Sequence, residues 1–133
     1  MIELRGIAPL MLVYDMGRTL QFYCEVLGFK LVGKAEPESY PEWAMVELNS
    51  VQVMFEPIYP AARRPPQPDP VRMSFHTDTV LYFGCPDVDA AYVHLRSKGI
   101  DLAEPVQTRY GFKAIYLIDP DGYKLVWHWP LEG

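Results

Sequence analysis

Residues Ile115–Trp129 read IYLIDPDGYKLVWHW, two runs of strand-forming residues on either side of Asp119-Pro120-Asp121-Gly122. The four central residues have the chemistry of a turn. Proline presets φ at its second position, and the closing glycine accepts a positive φ without a steric penalty. The flanks alternate apolar and mixed residues, as strands do when one face is buried. In a hairpin of this kind Ile115 and Leu117 share one face, while Tyr116 and Ile118 take the other. On the return strand Leu125, Trp127 and Trp129 share a face, and Lys124, Val126 and His128 share the opposite one. That second face mixes a cation, a histidine and a tyrosine with apolar groups.

Working back from the hairpin, Tyr110-Gly111 is a turn or bulge and Asp101–Pro105 a short candidate strand. Val88–Ser97 is a helix with Val88, Ala91, Tyr92 and Leu95 on one face. Asp87 supplies its N-cap and Gly99 its end. Thr79–Cys85 precedes it as a strand. The same order occurs earlier in the chain. Ile7–Tyr14 is an apolar run of strand length, Asp15 an N-cap, and Met16–Leu27 a segment of helical spacing that Gly28 terminates. Phe29–Lys34 is a strand and Glu36–Glu42 a loop. Trp43–Leu48 and Val51–Glu56 are two more strands joined at Asn49-Ser50. The chain is thus strand–helix–strand–strand–strand, twice. Each copy has too little core to stand alone, so the two should pair, each sheet covered on one side by a helix.

Between the copies, Pro57 to Asp78 holds Pro57, Pro60, Pro65, Pro66, Pro68 and Pro70. So many prolines argue for an extended connector rather than a helix or a central strand. A spacer and a lid over a pocket are both compatible with it. The expected organisation is one domain, 1–133, made of modules 1–57 and 79–133 joined by the connector 58–78.

Composition excludes several classes of function. Of 133 residues, half are hydrophobic and 22% are charged, enough for a real core and against disorder. The net charge of −5 and the lack of a basic stripe argue against nucleic acid as a partner. The N-terminus, with Glu3 and Arg5, does not read as a signal peptide, and no window is apolar enough for a membrane span. Cys24 and Cys85 have neither CxxC nor zinc spacing. These features give the expectation of a soluble, cytoplasmic protein. No nucleotide-binding glycine motif or nucleophile elbow is present. His76 and His94 read as exposed loop and helix residues without an assigned role.

Three stretches carry a family resemblance: Leu12–Phe29 (LVYDMGRTLQFYCEVLGF), Pro86–Gly99 (PDVDAAYVHLRSKG) and Asp119–Trp129 (DPDGYKLVWHW). With these separations the chain resembles the vicinal oxygen chelate superfamily of glyoxalase I, extradiol dioxygenases and bleomycin-resistance proteins. The resemblance implies an α+β fold of two βαβββ modules pairing into a cup-shaped mixed sheet, helices outside, and a homodimer. In metal-using members it implies ligands near the start of each module's first strand and on each module's last strand. Those positions carry Ala8, Glu56, Val80 and Val126. Three of them have no donor atom, and one carboxylate cannot hold a divalent ion against water. A shift of two residues recruits His128, still short of a ligand set. No metal or other cofactor is therefore expected.

Alternation from the same positions gives the cup a lining of Ala8, Leu10, Leu12, Met45, Glu47, Gln52, Val80, Gly84, Ala114 and Val126. Its candidate ligand-binding side chains are Trp43, Met54, Glu56, Tyr82, Tyr116, Lys124 and His128. Val46, Leu48, Val51, Val53, Phe55, Ile115, Leu117 and Leu125 would pack on the helices. Glu56 and His128 are the candidate acid–base groups, should there be a reaction; each also has a structural reading, as a buried pair or a packed sheet histidine. Three functions remain open. One is a metal-free small-molecule-binding protein of the bleomycin-resistance type, sequestering an antibiotic or metabolite that is partly aromatic or cationic. The second is a metal-dependent lyase, isomerase or dioxygenase. The third is a dimer whose cup is filled by its own side chains.

Overall fold

The division between buried and exposed side chains organises each half of the chain separately. A computed structural model describes residues 1–132, which form two compact units, Met1–Pro68 and Asp69 onward.

The first unit runs β1 (Leu10–Val13), α1 (Met16–Gln21), a π-helical turn (Phe22–Val26) continuing α1, β2 (Lys30–Lys34), β3 (Ala44–Leu48) and β4 (Val51–Pro57). Its four strands lie in the order β1-β4-β3-β2, with β1 parallel to β4 and the other neighbours antiparallel. The Asp15 carboxylate caps α1 by accepting from the Arg18 amide at 3.3 Å, filling one of the helix's open donors. Gly28 follows the helical segment with φ +89°. Asn49 and Ser50 turn β3 into β4 with φ of 57° and 95°, the pair of positive angles that matches the twist of a tight hairpin. Met11, Val13, Val46, Val53 and Phe55 form the buried face of this sheet. Tyr23 of the helical segment packs into them, its ring 4.7 Å from Phe55 and 5.9 Å from Phe29. Each such side chain contributes about 1.5–3 kcal/mol on leaving water.

The second unit begins with α2 (Pro70–His76) and then repeats the scheme: β5 (Val80–Gly84), α3 (Val88–Ser97), β6 (Val106–Gln107), β7 (Phe112–Ile118) and β8 (Lys124–Pro130). The order is β5-β8-β7-β6, again with the first strand parallel to the last. Asp87 caps α3 through the Ala90 amide at 2.9 Å, and Gly99 follows its end with φ +89°. Val88 and Leu95 of α3 are buried, as are Ile115, Leu117, Leu125 and Trp127 on the two long strands. The internal repeat is thus one of topology and pairing as well as of element order.

Three expectations need correction. The proline-rich connector contains a helix, α2, and a short 3-10 turn at Ala61–Arg63. Every proline of the run precedes the body of α2. The last, Pro70, stands in its first turn, where an N–H would have no partner anyway, and Asp69 caps it through the Val71 amide at 3.0 Å. The short strand lies at Val106–Gln107 rather than Asp101–Pro105. Pro105 has no N–H to give a ladder, and Leu102 is buried within a loop. Val51 is exposed and Leu48 only half-buried. Both flank the Asn49-Ser50 turn at the end of the sheet.

The β7–β8 turn is held from two sides. The Asp119 carboxylate accepts from the amides of Asp121 at 2.9 Å and Tyr123 at 3.0 Å. From α2, His76 stacks on the Tyr123 ring, centroids 4.1 Å apart and planes 4° from parallel, and its Nδ1 donates to the Asp121 carbonyl at 2.6 Å. Gly122 has φ +89°, and a Cβ there would lie 2.6 Å from the Met73 carbonyl oxygen. His76 therefore has a structural role that the sequence did not disclose.

Candidate functional site

Strand alternation that buries Val53 and Phe55 turns Gln52, Met54 and Glu56 to the other face of the first sheet, where all three are half-buried. Register sets Met45 beside Met54, and Glu47 beside Gln52, whose side-chain amide donates to the Glu47 carboxylate at 3.0 Å. Leu12 on β1 lies beside Glu56. Trp43, one residue before β3, lies on this face with its ring against Gly33. A Cβ at Gly33 would sit 3.2 Å from the ring, so glycine and the local β-bulge make room for the indole. Trp43, Met54 and Glu56 are thus on one sheet face, as expected.

At the far end of β4 this face opens into a pocket of about 400 Å³. Glu56, Pro57, Ile58, Tyr59, Pro60 and Ala61 form one wall, and Pro37, Tyr40 and Glu42 the other. The walls meet where the Tyr40 hydroxyl donates to the Tyr59 carbonyl at 3.0 Å. Behind them Arg64 pairs with Asp15 at 3.2 Å, and its guanidinium lies 5.5 Å from the Tyr14 ring centre and 5.7 Å from that of Tyr40. The Tyr14 hydroxyl donates to the Pro65 carbonyl at 2.5 Å. Burial pushes the Tyr40 phenol above its ordinary pKa, with Arg64 opposing and Asp15 and Tyr14 adding to the rise. Tyr40, Glu42 and Tyr59 were missed by strand alternation because they lie in loops. The one trace they leave is the recurrence of tyrosine beside proline in EPESYPE and EPIYP.

In the second unit the expected face is likewise present. Tyr82, Val126 and Tyr116 lie side by side on β5, β8 and β7; Gly84, His128 and Ala114 form the next row, and Val80, Lys124 and Ile118 the one before. Tyr82 is 58% exposed and Tyr116 45%, whereas Val126 between them is fully buried. His128 meets Tyr82 and Phe112 edge to face, both centroids at 5.0 Å. Its Nδ1 is buried and has no hydrogen-bond partner among the described residues. Lys124 is exposed.

The residues present do not fit a family-type metal centre. Of the four marked positions, Ala8, Val80 and Val126 carry no donor, and Val126 is sealed from solvent. Within neither unit do three His, Cys, Asp or Glu side chains gather as a metal would need, among the described residues. No helix among these residues is long and apolar enough to cross a membrane.

Residues 6–126 match the family model described as Glyoxalase/Bleomycin resistance protein/Dioxygenase superfamily. Among solved structures, a bleomycin-binding protein complexed with bleomycin has a TM-score of 0.72 at 21% identity, covering 95% of this chain and 98% of that one. A bleomycin resistance determinant encoded on the transposon Tn5 has a TM-score of 0.73 at 21% identity, covering 96% and 98%. TioX from Micromonospora sp. ML1 reaches 0.74 at 16% identity, covering 96% and 99%. At these identities the likeness is one of fold. Among curated proteins none matches the chain.

Proposed function

The chain belongs to the glyoxalase/bleomycin resistance protein/dioxygenase superfamily, and from that premise we propose that it is a metal-free small-molecule-binding protein. The pocket beside Glu56 carries the reading. It has the volume of a small-ligand site, and three prolines, two tyrosines and the acidic residues Glu42 and Glu56 are among the residues that line it. The missing donors at Ala8, Val80 and Val126 support binding without a metal. Bleomycin is bound by a solved protein of the same fold, which makes an antibiotic or a metabolite of mixed aromatic and cationic character the first class to test. Trp43, Met54 and Glu56 on the first sheet, and Tyr82, Tyr116, Lys124 and His128 on the second, are the proposed contacts, each set tested by its own variants. A homodimer in a reducing cytoplasm completes the proposal. The free thiols Cys24 and Cys85 support that compartment, and light scattering of the purified protein tests the dimer.

Thermal-shift measurement with bleomycin, other basic antibiotics and small aromatic amines tests the function. A ligand at a hundred times its Kd adds about 2.7 kcal/mol to stability, a rise of several degrees in Tm. The same rise should shrink in Glu56→Gln. Elemental analysis accompanies it: one equivalent of tightly held transition metal would overturn the metal-free reading and favour a lyase or dioxygenase.

A further inference from the structure

We propose that Arg64 is the positioning residue of the Glu56 pocket, a clasp that holds its proline wall against its tyrosine wall. The proposal rests on that pocket being the binding site and concerns what keeps it formed.

The need for a clasp follows from the composition of the wall. Pro57, Pro60, Pro65 and Pro66 have no N–H, so residues 57 to 66 cannot extend the sheet by a ladder. The Ile58 amide makes the last bond of sheet type, to the Val13 carbonyl at 2.8 Å. Beyond it, the Arg63 amide bonds only locally, to Pro60. Side chains must hold the rest. The Tyr40–Tyr59 and Tyr14–Pro65 hydrogen bonds each tie one point. Arg64 ties three elements at once: the start of α1 through Asp15, the end of β1 through the Tyr14 ring, and the loop 36–42 through the Tyr40 ring. A planar guanidinium can pair with a carboxylate and lie against aromatic rings together; an ammonium does the first but stacks poorly. With Arg64 removed, the hydrogen bonds described above, from the Ile58 amide and the Tyr40 and Tyr14 hydroxyls, remain to hold the wall.

Two measurements on Arg64→Ala and Arg64→Lys test this without any ligand. In Arg64→Ala, amide hydrogen exchange at Ile58 and Arg63, the hydrogen-bonded amides of this wall, should rise by roughly tenfold, with β4 and α1 amides unchanged as the control for folding, and Arg64→Lys should fall between. The second readout is the titration of Tyr40, followed by ring-carbon NMR and assigned with Tyr40→Phe. The groups acting on this phenol are Arg64, Asp15 and Tyr14, together with its burial. If Arg64 holds the wall, its loss lets water reach Tyr40 and the phenol falls toward its ordinary pKa. If Arg64 is a mere neighbour, burial persists while a cation is lost, and the pKa rises further. Unchanged exchange, or a rise in the Tyr40 pKa, overturns the clasp. Because neither readout involves binding, a protein that binds none of the ligands above would sink the proposed function and leave the clasp standing.

Discussion

Gly122→Ala separates two costs that usually arrive together. Gly28, Gly99 and Gly122 share φ of +89°, a region where a side chain is strained by about 1–2 kcal/mol. At Gly28 and Gly99 an added Cβ has nothing within 4 Å, so alanine there meets only the backbone penalty. At Gly122 the same Cβ would lie 2.6 Å from the Met73 carbonyl oxygen and 3.4 Å from its carbon. The clashing atom is backbone in α2 and cannot rotate away. Either the turn or the helix must move, and forcing a group into packed space costs about 1–3 kcal/mol more. Gly99→Ala should therefore cost about 1–2 kcal/mol and Gly122→Ala about 2–5 kcal/mol. Urea unfolding followed by tryptophan fluorescence measures both, with an unchanged m-value showing that the unfolded state is comparable. A Gly122→Ala protein no less stable than Gly99→Ala would refute the close seating of α2 on the hairpin turn.

His76→Ala tests the same seating from the helix side. It removes a parallel ring stack and a hydrogen bond to the Asp121 carbonyl, and should lower stability by about 1–2.5 kcal/mol in the same assay. Ser50→Gly should stabilise by about 0.5–1 kcal/mol, since serine at φ 95° is strained and glycine is not, net of glycine's greater unfolded freedom. Cys24 and Cys85 should both react with a disulfide reagent at pH 7.5 more slowly than a free small thiol. Burial raises both pKa values, so the thiolate fraction at that pH falls below that of an unhindered cysteine; the rate should climb as pH approaches the raised pKa. Reaction as fast as the free thiol's at either residue would contradict the burial.

The two sheet faces illustrate how much of a site local pattern can reveal. Alternation placed Trp43, Met54 and Glu56 together on one face, and Tyr82, Tyr116, Lys124 and His128 together on another, because period-two geometry is a local property of an extended backbone. It did not find the pocket. Tyr40, Glu42 and Tyr59 lie in segments with no period, and their convergence on Glu56 depends on how two loops lean together. It also could not anticipate that Val126, in the middle of an otherwise accessible face, is sealed from solvent while Tyr82 beside it is not. Burial of a single position depends on the sizes of its neighbours, which the pattern does not register.

By itself the sequence determined the βαβββ repeat, the caps at Asp15 and Asp87, the helix ends at Gly28 and Gly99, and the tight closing turn. Each of these follows from short-range sterics and from hydrogen bonds between residues a few positions apart. The tertiary structure alone decided that the helix closing the proline run seats on Gly122 and Tyr123, and that Arg64 gathers Asp15, Tyr14 and Tyr40 behind a pocket. Those contacts join segments from 24 to about 50 residues apart, and they exist because close packing leaves one arrangement in which rings, charge and backbone all find partners.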